Sequence, residues 1–202
     1  MRMPATERGR AVVERILASA TEQIHKSGLH GVSLDDILDE AGVGRGQFYR
    51  YFDSRDDLVP LVFEREVDNW ARRHASELAR LAEPGGFAQL AESLVALSAR
   101  TRLRRWCPVA ALAVDVVRDP SPVAVAARRA AMRRMAEHLE VGLVAAQRGG
   151  MLDADADPHR LANTFLACFE GGLLVAVATG ELAALEGALA AALLVFSSHG
   201  LS

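Results

Sequence analysis

The sequence predicts an all-α protein, and three observations carry that reading. Apolar residues recur at three- and four-residue spacing along nearly the whole chain. No run alternates apolar and polar residues as a half-buried strand does. Glycine and proline pairs break the periodic stretches at helix-length intervals. The composition agrees. Of 202 residues, 50% are hydrophobic, 24% charged and 5% aromatic, a globular balance whose core is mainly Ala, Leu and Val. The periodic segments number about nine: three at the N-terminus, over residues 1–53, and the rest over residues 54–202.

In order along the chain, Val12, Ile16, Ala20 and Ile24 step by four and make one face of a first helix, Thr6 to Ser27. Gly28 and Gly31 bracket a turn. Ser33 precedes Asp36 by three, a start signal in which the hydroxyl caps an orphan N–H. Leu34, Ile37, Leu38 and Ala41 form the inner face of a short second helix, which Gly42 ends, and a third short helix runs from Arg45 to Tyr51. Ser54 with Asp57 repeats the capping pattern and opens a long fourth helix to about Leu81. Pro60 lies inside it, so a kink or loosened turn is expected over Asp56–Pro60. Glu83-Pro84-Gly85-Gly86 is a breaker, and Phe87 to Arg102 the fifth helix. Cys107-Pro108 starts a sixth, stopped at Asp119-Pro120. Ser121-Pro122 starts a seventh ending near Gly149-Gly150. Asp157-Pro158 starts an eighth ending at Gly180, and Glu181 to Ser198 is the ninth.

Several patterns that resemble chemistry fail on inspection. Gly42-Val43-Gly44-Arg45-Gly46 follows a helix rather than a strand and has Gln47 where a dinucleotide fingerprint needs glycine. Asp153, Asp155 and Asp157 carry the first spacings of a calcium loop, but Pro158 and Thr164 stand where glycine and glutamate belong. The six histidines do not cluster, Cys107 and Cys168 are in no CxxC pair, and no serine or cysteine is matched to a base. No catalytic residue, metal site or cofactor is therefore expected. The first fifteen residues hold no apolar run long enough for a signal peptide. Leu161–Thr179 is apolar but carries Asn163, Thr164 and Glu170, which suits a buried helix better than a lone membrane span. The expectation is a cytoplasmic protein with no membrane partner.

Residues 33–52 form a short helix, a glycine turn and a second short helix, the geometry in which the second helix enters a DNA major groove. Its content fits that use. Arg45, Gln47, Tyr49 and Arg50 crowd into six residues, with Tyr51 next and Arg55 soon after. Arginine pairs with guanine, glutamine with adenine, and tyrosine hydroxyls with phosphate. Phe48 and Phe52, four apart, can pack inward beneath them. The charge is local: through Asp53 there are seven Lys and Arg against eight Asp and Glu, and the whole chain is at −3. A helical enzyme, or a plain interaction module whose helix-turn-helix has no DNA role, is the alternative, and specific, salt-sensitive DNA binding separates these readings from a DNA-binding one.

The stretch GLHGVSLDDILDEAGVGRGQFYRYFDSRDDL, Gly28 to Leu58, resembles the N-terminal DNA-binding domain of TetR-family transcriptional regulators, and the likeness extends over residues 8–65. The resemblance implies a homodimeric repressor on double-stranded operator DNA, released by a small-molecule effector. It implies that Ser33 caps the second helix and touches phosphate, and that Arg45 and Gln47 reach bases. Tyr49, Tyr51 and Arg55 would hold the DNA backbone, Arg50 would serve either purpose, and Gly46 would allow close approach. Two departures stand out. Gly44 replaces the usual Ser or Thr, and Asp53 occupies a position that is often basic or neutral.

In such proteins the fourth to seventh helices enclose the ligand, which makes Phe63, Trp70, His74, Trp106, Met132, Met135 and His138 candidate lining residues for a mostly apolar molecule. The last two helices carry apolar stripes, Leu161, Phe165, Phe169 and Leu173 on one and Leu182, Leu185, Leu189 and Leu193 on the other. One chain cannot easily cover so much apolar helix, so these stripes are assigned to the dimer interface, with an intrachain core as the competing reading.

Overall fold

The computed structural model describes residues 2, 4–29, 31–103 and 121–201. The expected sixth helix, with Trp106 and Cys107, lies outside the described residues. Among the described residues there are nine α-helices, one 3₁₀ turn and no strand. The helices are α1 (Glu7–Ser27), α2 (Leu34–Ala41), α3 (Arg45–Phe48), α4 (Leu58–Arg73), α5 (Ala75–Ala79), α6 (Gly86–Arg100), α7 (Pro122–Arg148), α8 (Pro158–Thr179) and α9 (Ala183–Ser197). The 3₁₀ turn is Arg55–Asp57.

The chain packs as two compact units. One holds residues 2–67 and 121–131, the other residues 68–103 and 132–201. The division between these two units falls inside α4, after Val67. In the first unit Thr6 caps α1 by accepting the Gly9 N–H at 3.1 Å. The face of Val12, Ile16, Ala20 and Ile24 is buried, as its spacing requires. α2 packs on α1, where the buried Ser19 hydroxyl donates to the Ile37 carbonyl at 2.8 Å. The first turns of α4 join the same core through Leu58, Val62 and Phe63. Two side-chain contacts tie α4 back to α1: the Arg65–Glu14 ion pair at 2.5 Å, and the His25 ring nitrogen 3.4 Å from the Glu66 carboxylate.

The long fourth helix of the sequence reading is corrected in three places. Its start is a 3₁₀ turn, and Pro60 is only the third residue of α4. A first-turn N–H has no intrahelical partner, so this proline removes no ladder bond and needs no kink. Ser54 makes no side-chain cap; instead the Asp57 carboxylate accepts the Asp53 N–H at 2.8 Å. At its far end the helix breaks at His74 (φ −107°, ψ 22°), and α5 follows as a separate short helix.

In the second unit α8 and α9 pack along each other. Asp157 caps α8 by accepting the Arg160 N–H at 3.2 Å with Pro158 behind it, and Gly180 (φ 77°) ends it. Gly172 lets α9 come close: a Cβ there would stand 2.7 Å from the Ala188 Cβ. Phe87 of α6, Phe165 of α8 and Phe196 of α9 meet edge-on and tilted, with ring centroids 4.9–6.0 Å apart. This packing corrects the reading of the two leucine-rich stripes. Leu161, Phe165, Phe169, Leu173, Leu185 and Leu189 are all buried within the single chain, while Leu182 and Leu193 are partly covered. The six buried residues form an intrachain core, because α8 and α9 face each other and Phe87 of α6 packs against them. By length and composition alone α8 is apolar enough to cross a membrane (mean hydropathy 1.7), a test that a core helix also meets.

Candidate nucleic-acid interface

The helix-turn-helix is assembled from local signals. Ser33 and Asp36 form a reciprocal capping box: the serine hydroxyl accepts the Asp36 N–H at 3.1 Å, and the Asp36 carboxylate accepts the Ser33 N–H at 3.0 Å. The Ser33 hydroxyl also donates to that carboxylate at 2.6 Å, which holds Asp36 below its ordinary pKa. Gly42 sits in the left-handed region (φ 61°, ψ 44°), where a side chain is strained. The Val43 N–H then returns to the Leu38 carbonyl at 3.0 Å, closing the turn that aims α3.

α3 is shorter than expected. Its regular part is Arg45–Phe48, and hydrogen-bonded turns carry the chain on to Phe52. Gly44 offers no side-chain cap, so the first N–H groups of α3 have no hydroxyl partner. Phe48 and Phe52 are fully buried and stacked, with centroids 5.0 Å apart and planes at 27°. That fixes the opposite face outward. Arg45, Gly46, Tyr49 and Arg50 are exposed and Gln47 partly so. A Cβ at Gly46 would meet nothing within 4 Å.

Three contacts were not legible in the sequence. Asp35 of α2 grips the Arg45 guanidinium at two points, 2.9 Å at Nε and 2.5 Å at Nη2. The contact joins residues ten apart across a turn, so no helical spacing announces it. Arg2 lies across the end of the recognition segment. Its N–H donates to the Tyr51 carbonyl at 2.7 Å, and its guanidinium reaches the Tyr49 carbonyl at 3.1 Å and Asp53 at 2.8 Å. The acidic departure at Asp53 is thereby neutralised from within the chain. Arg55, expected to point at phosphate, donates to the Leu29 carbonyl and is only partly exposed. It braces the loop between α1 and α2, since that carbonyl follows the end of α1. Tyr51 is partly covered too: its hydroxyl sits over Gly9, 2.8 Å from where a Cβ would be.

The expected pocket residues are divided. Phe63 belongs to the first unit and is core. In the second unit Met135 is buried and Met132 partly so. Trp70, His74 and His138 come together, with ring centroids 5.5 Å and 6.3 Å from Trp70. Burial pushes His74 below its ordinary pKa, so its imidazole is neutral at pH 7. Trp106 lies outside the described residues. The large exposed apolar side chains of the last two helices are Leu174 and Val175 on α8 and Leu194 and Val195 on α9, with Leu194 73% exposed.

Comparison with known proteins decides the family. Residues 16–62 match the family of bacterial regulatory proteins, tetR family, and residues 86–192 match the tetracyclin repressor-like C-terminal domain. The chain belongs to the TetR family. The transcriptional regulator AcuR of Cereibacter sphaeroides is 30% identical over 169 residues, 80% of this chain and 74% of AcuR. An uncharacterised HTH-type transcriptional regulator of Lactococcus lactis is 32% identical over 111 residues, which is 51% of this chain and 54% of the relative. The matched stretch thus spans about half of that relative. Among solved structures, a TetR regulator from Chloroflexus aurantiacus superposes with a TM-score of 0.73 at 21% identity, covering 96% of this chain and 98% of the other. That likeness establishes the shared fold. TetR-family proteins are DNA-binding transcriptional regulators rather than enzymes, and they are typically dimers.

Proposed function

We propose that this TetR-family chain is a homodimeric repressor that leaves its operator when a small, mostly apolar molecule binds. The observation that carries the reading is the two-sided α3 segment, with Phe48 and Phe52 locked inside and Arg45, Gln47, Tyr49 and Arg50 turned out. Arg45 and Gln47 read base edges in the major groove. Tyr49 and Ser33 contact phosphate, Arg50 serves either purpose, and Gly46 permits close approach. Tyr51 and Arg55 act chiefly by holding the α3 segment and the preceding loop in place, consistent with their partial burial. The effector enters the C-terminal region near Trp70, His74 and His138. The protein works in the cytoplasm.

The dimer forms through apolar side chains that the chain itself leaves uncovered on α8 and α9, Leu174, Val175, Leu194 and Val195. A second copy covers them on the same two helices. The experiment is quantitative binding to the DNA just upstream of the chain's own gene. Specific binding that weakens linearly in log salt supports the reading, with release by a small molecule as its second half. Equal affinity for unrelated duplexes at every salt concentration contradicts it.

A further inference from the structure

We propose that Trp70, His74 and His138 are the polar anchor of the effector site, and that the effector therefore carries a carbonyl or carboxylate oxygen on its apolar body. This rests on the reading of the chain as a ligand-released regulator, and it changes the ligand class from merely apolar to oxygenated.

Trp70 is 4% exposed and His74 2% exposed. The Trp70 indole Nε1, both ring nitrogens of His74 and Nε2 of His138 are enclosed, and none has a hydrogen-bond partner among the described residues. Buried nitrogens are nearly always satisfied, so several orphans in one ring cluster call for an outside partner. They are one cluster by construction. Trp70 lies near the end of α4 and His74 is the residue at which that helix breaks, so their rings lie 5.5 Å apart, and His138 of α7 brings its ring to the same indole.

The donor set selects the partner. An indole N–H donates only, and a neutral imidazole donates from one nitrogen and accepts at the other. Such donors converge on an oxygen with free lone pairs. A cation is a poor fit, because the indole offers it no lone pair. Among the described residues, moreover, no three His, Cys, Asp or Glu side chains gather into a metal-binding group. A pure hydrocarbon would leave every one of these nitrogens unpaired.

Thermal melting of the full-length protein tests the anchor with two matched series: toluene, benzaldehyde and benzoate, and pentane, pentanal and pentanoate. The oxygenated members are expected to raise the melting temperature and the hydrocarbons to leave it unchanged. His74→Phe and His138→Phe should abolish that rise. Each should also melt about 2–4 °C higher than the wild type without ligand, since each removes an orphaned nitrogen. The anchor is refuted if hydrocarbons stabilise as well as their oxygenated partners, or if both variants keep the full response. It is refuted equally if both variants melt below the wild type without ligand, which would mean the nitrogens already had partners. None of those results touches the repressor reading, which stands or falls on whether any small molecule releases operator DNA.

Discussion

Arg45 and Asp35 meet on the exposed face of the helix-turn-helix, both side chains more than half exposed and joined at two points. A pair so open to water adds little stability. Its consequence is for recognition. The carboxylate holds the guanidinium fork in one direction and opposes phosphates that would otherwise attract it anywhere along the duplex. Asp35→Asn is therefore expected to raise affinity for random DNA and to lower the ratio of operator to random affinity. Fluorescence anisotropy with both duplexes measures the two quantities, and an unchanged ratio would show that Asp35 does not orient Arg45. Gly44 offers a second residue-scale prediction. It is the N-cap of α3 with extended backbone (φ −74°), no side-chain cap, and open space where a Cβ would go. Gly44→Ser should stabilise the protein by roughly a few tenths of a kcal/mol, read by urea denaturation. A loss of stability would mean that the cap geometry is not available there.

Helix ends written in local chemistry were readable: Ser33 with Asp36, Gly42, Asp157 with Pro158, and Gly180 all stand where their residue types demand. The apolar stripes were misread where the deciding contact is distant in sequence. Periodicity names an apolar stripe but not its partner, so Leu161–Leu173 and Leu185–Leu189 read equally well as a dimer face or as a core. Only the close approach at Gly172 settles that they cover each other. The same holds for the site. The inward Phe48 and Phe52 were legible from their spacing. The grip of Asp35 on Arg45, the strap of Arg2 and the diversion of Arg55 to Leu29 were not, because each joins residues on different elements. The revised assignment makes a direct prediction. Leu194→Arg should yield a folded monomer in sedimentation, since its site is exposed. Leu189→Arg should lose more than about 3 kcal/mol of stability by burying a charge. A dimeric Leu194→Arg protein would move the interface elsewhere.

Two histidines give the whole molecule opposite pH responses on either side of pH 6.5. Burial lowers the His74 pKa below 6.5. As pH falls through that range the unfolded chain takes up the proton first, so stability drops. His159 is raised above 6.5 by its hydrogen bond to the Glu140 carboxylate at 3.0 Å. Its contribution, small because the pair is open to solvent, is whole below pH 6.5 and fades as pH rises through the folded value. Denaturation profiles should show the acid-side loss reduced in His74→Phe and the alkaline-side loss reduced in Glu140→Gln. An acid-side slope kept in full by His74→Phe would place its origin in other groups. The molecule as a whole, however, stands or falls on one claim: that the outward face of α3 reads base edges. The most direct measurement is the affinity of wild type and Arg45→Ala for operator and for random duplex at one salt concentration. The account predicts a loss of about 1–3 kcal/mol on the operator for each contact removed, with a much smaller loss on random DNA. Full operator affinity and undiminished discrimination in Arg45→Ala would contradict it.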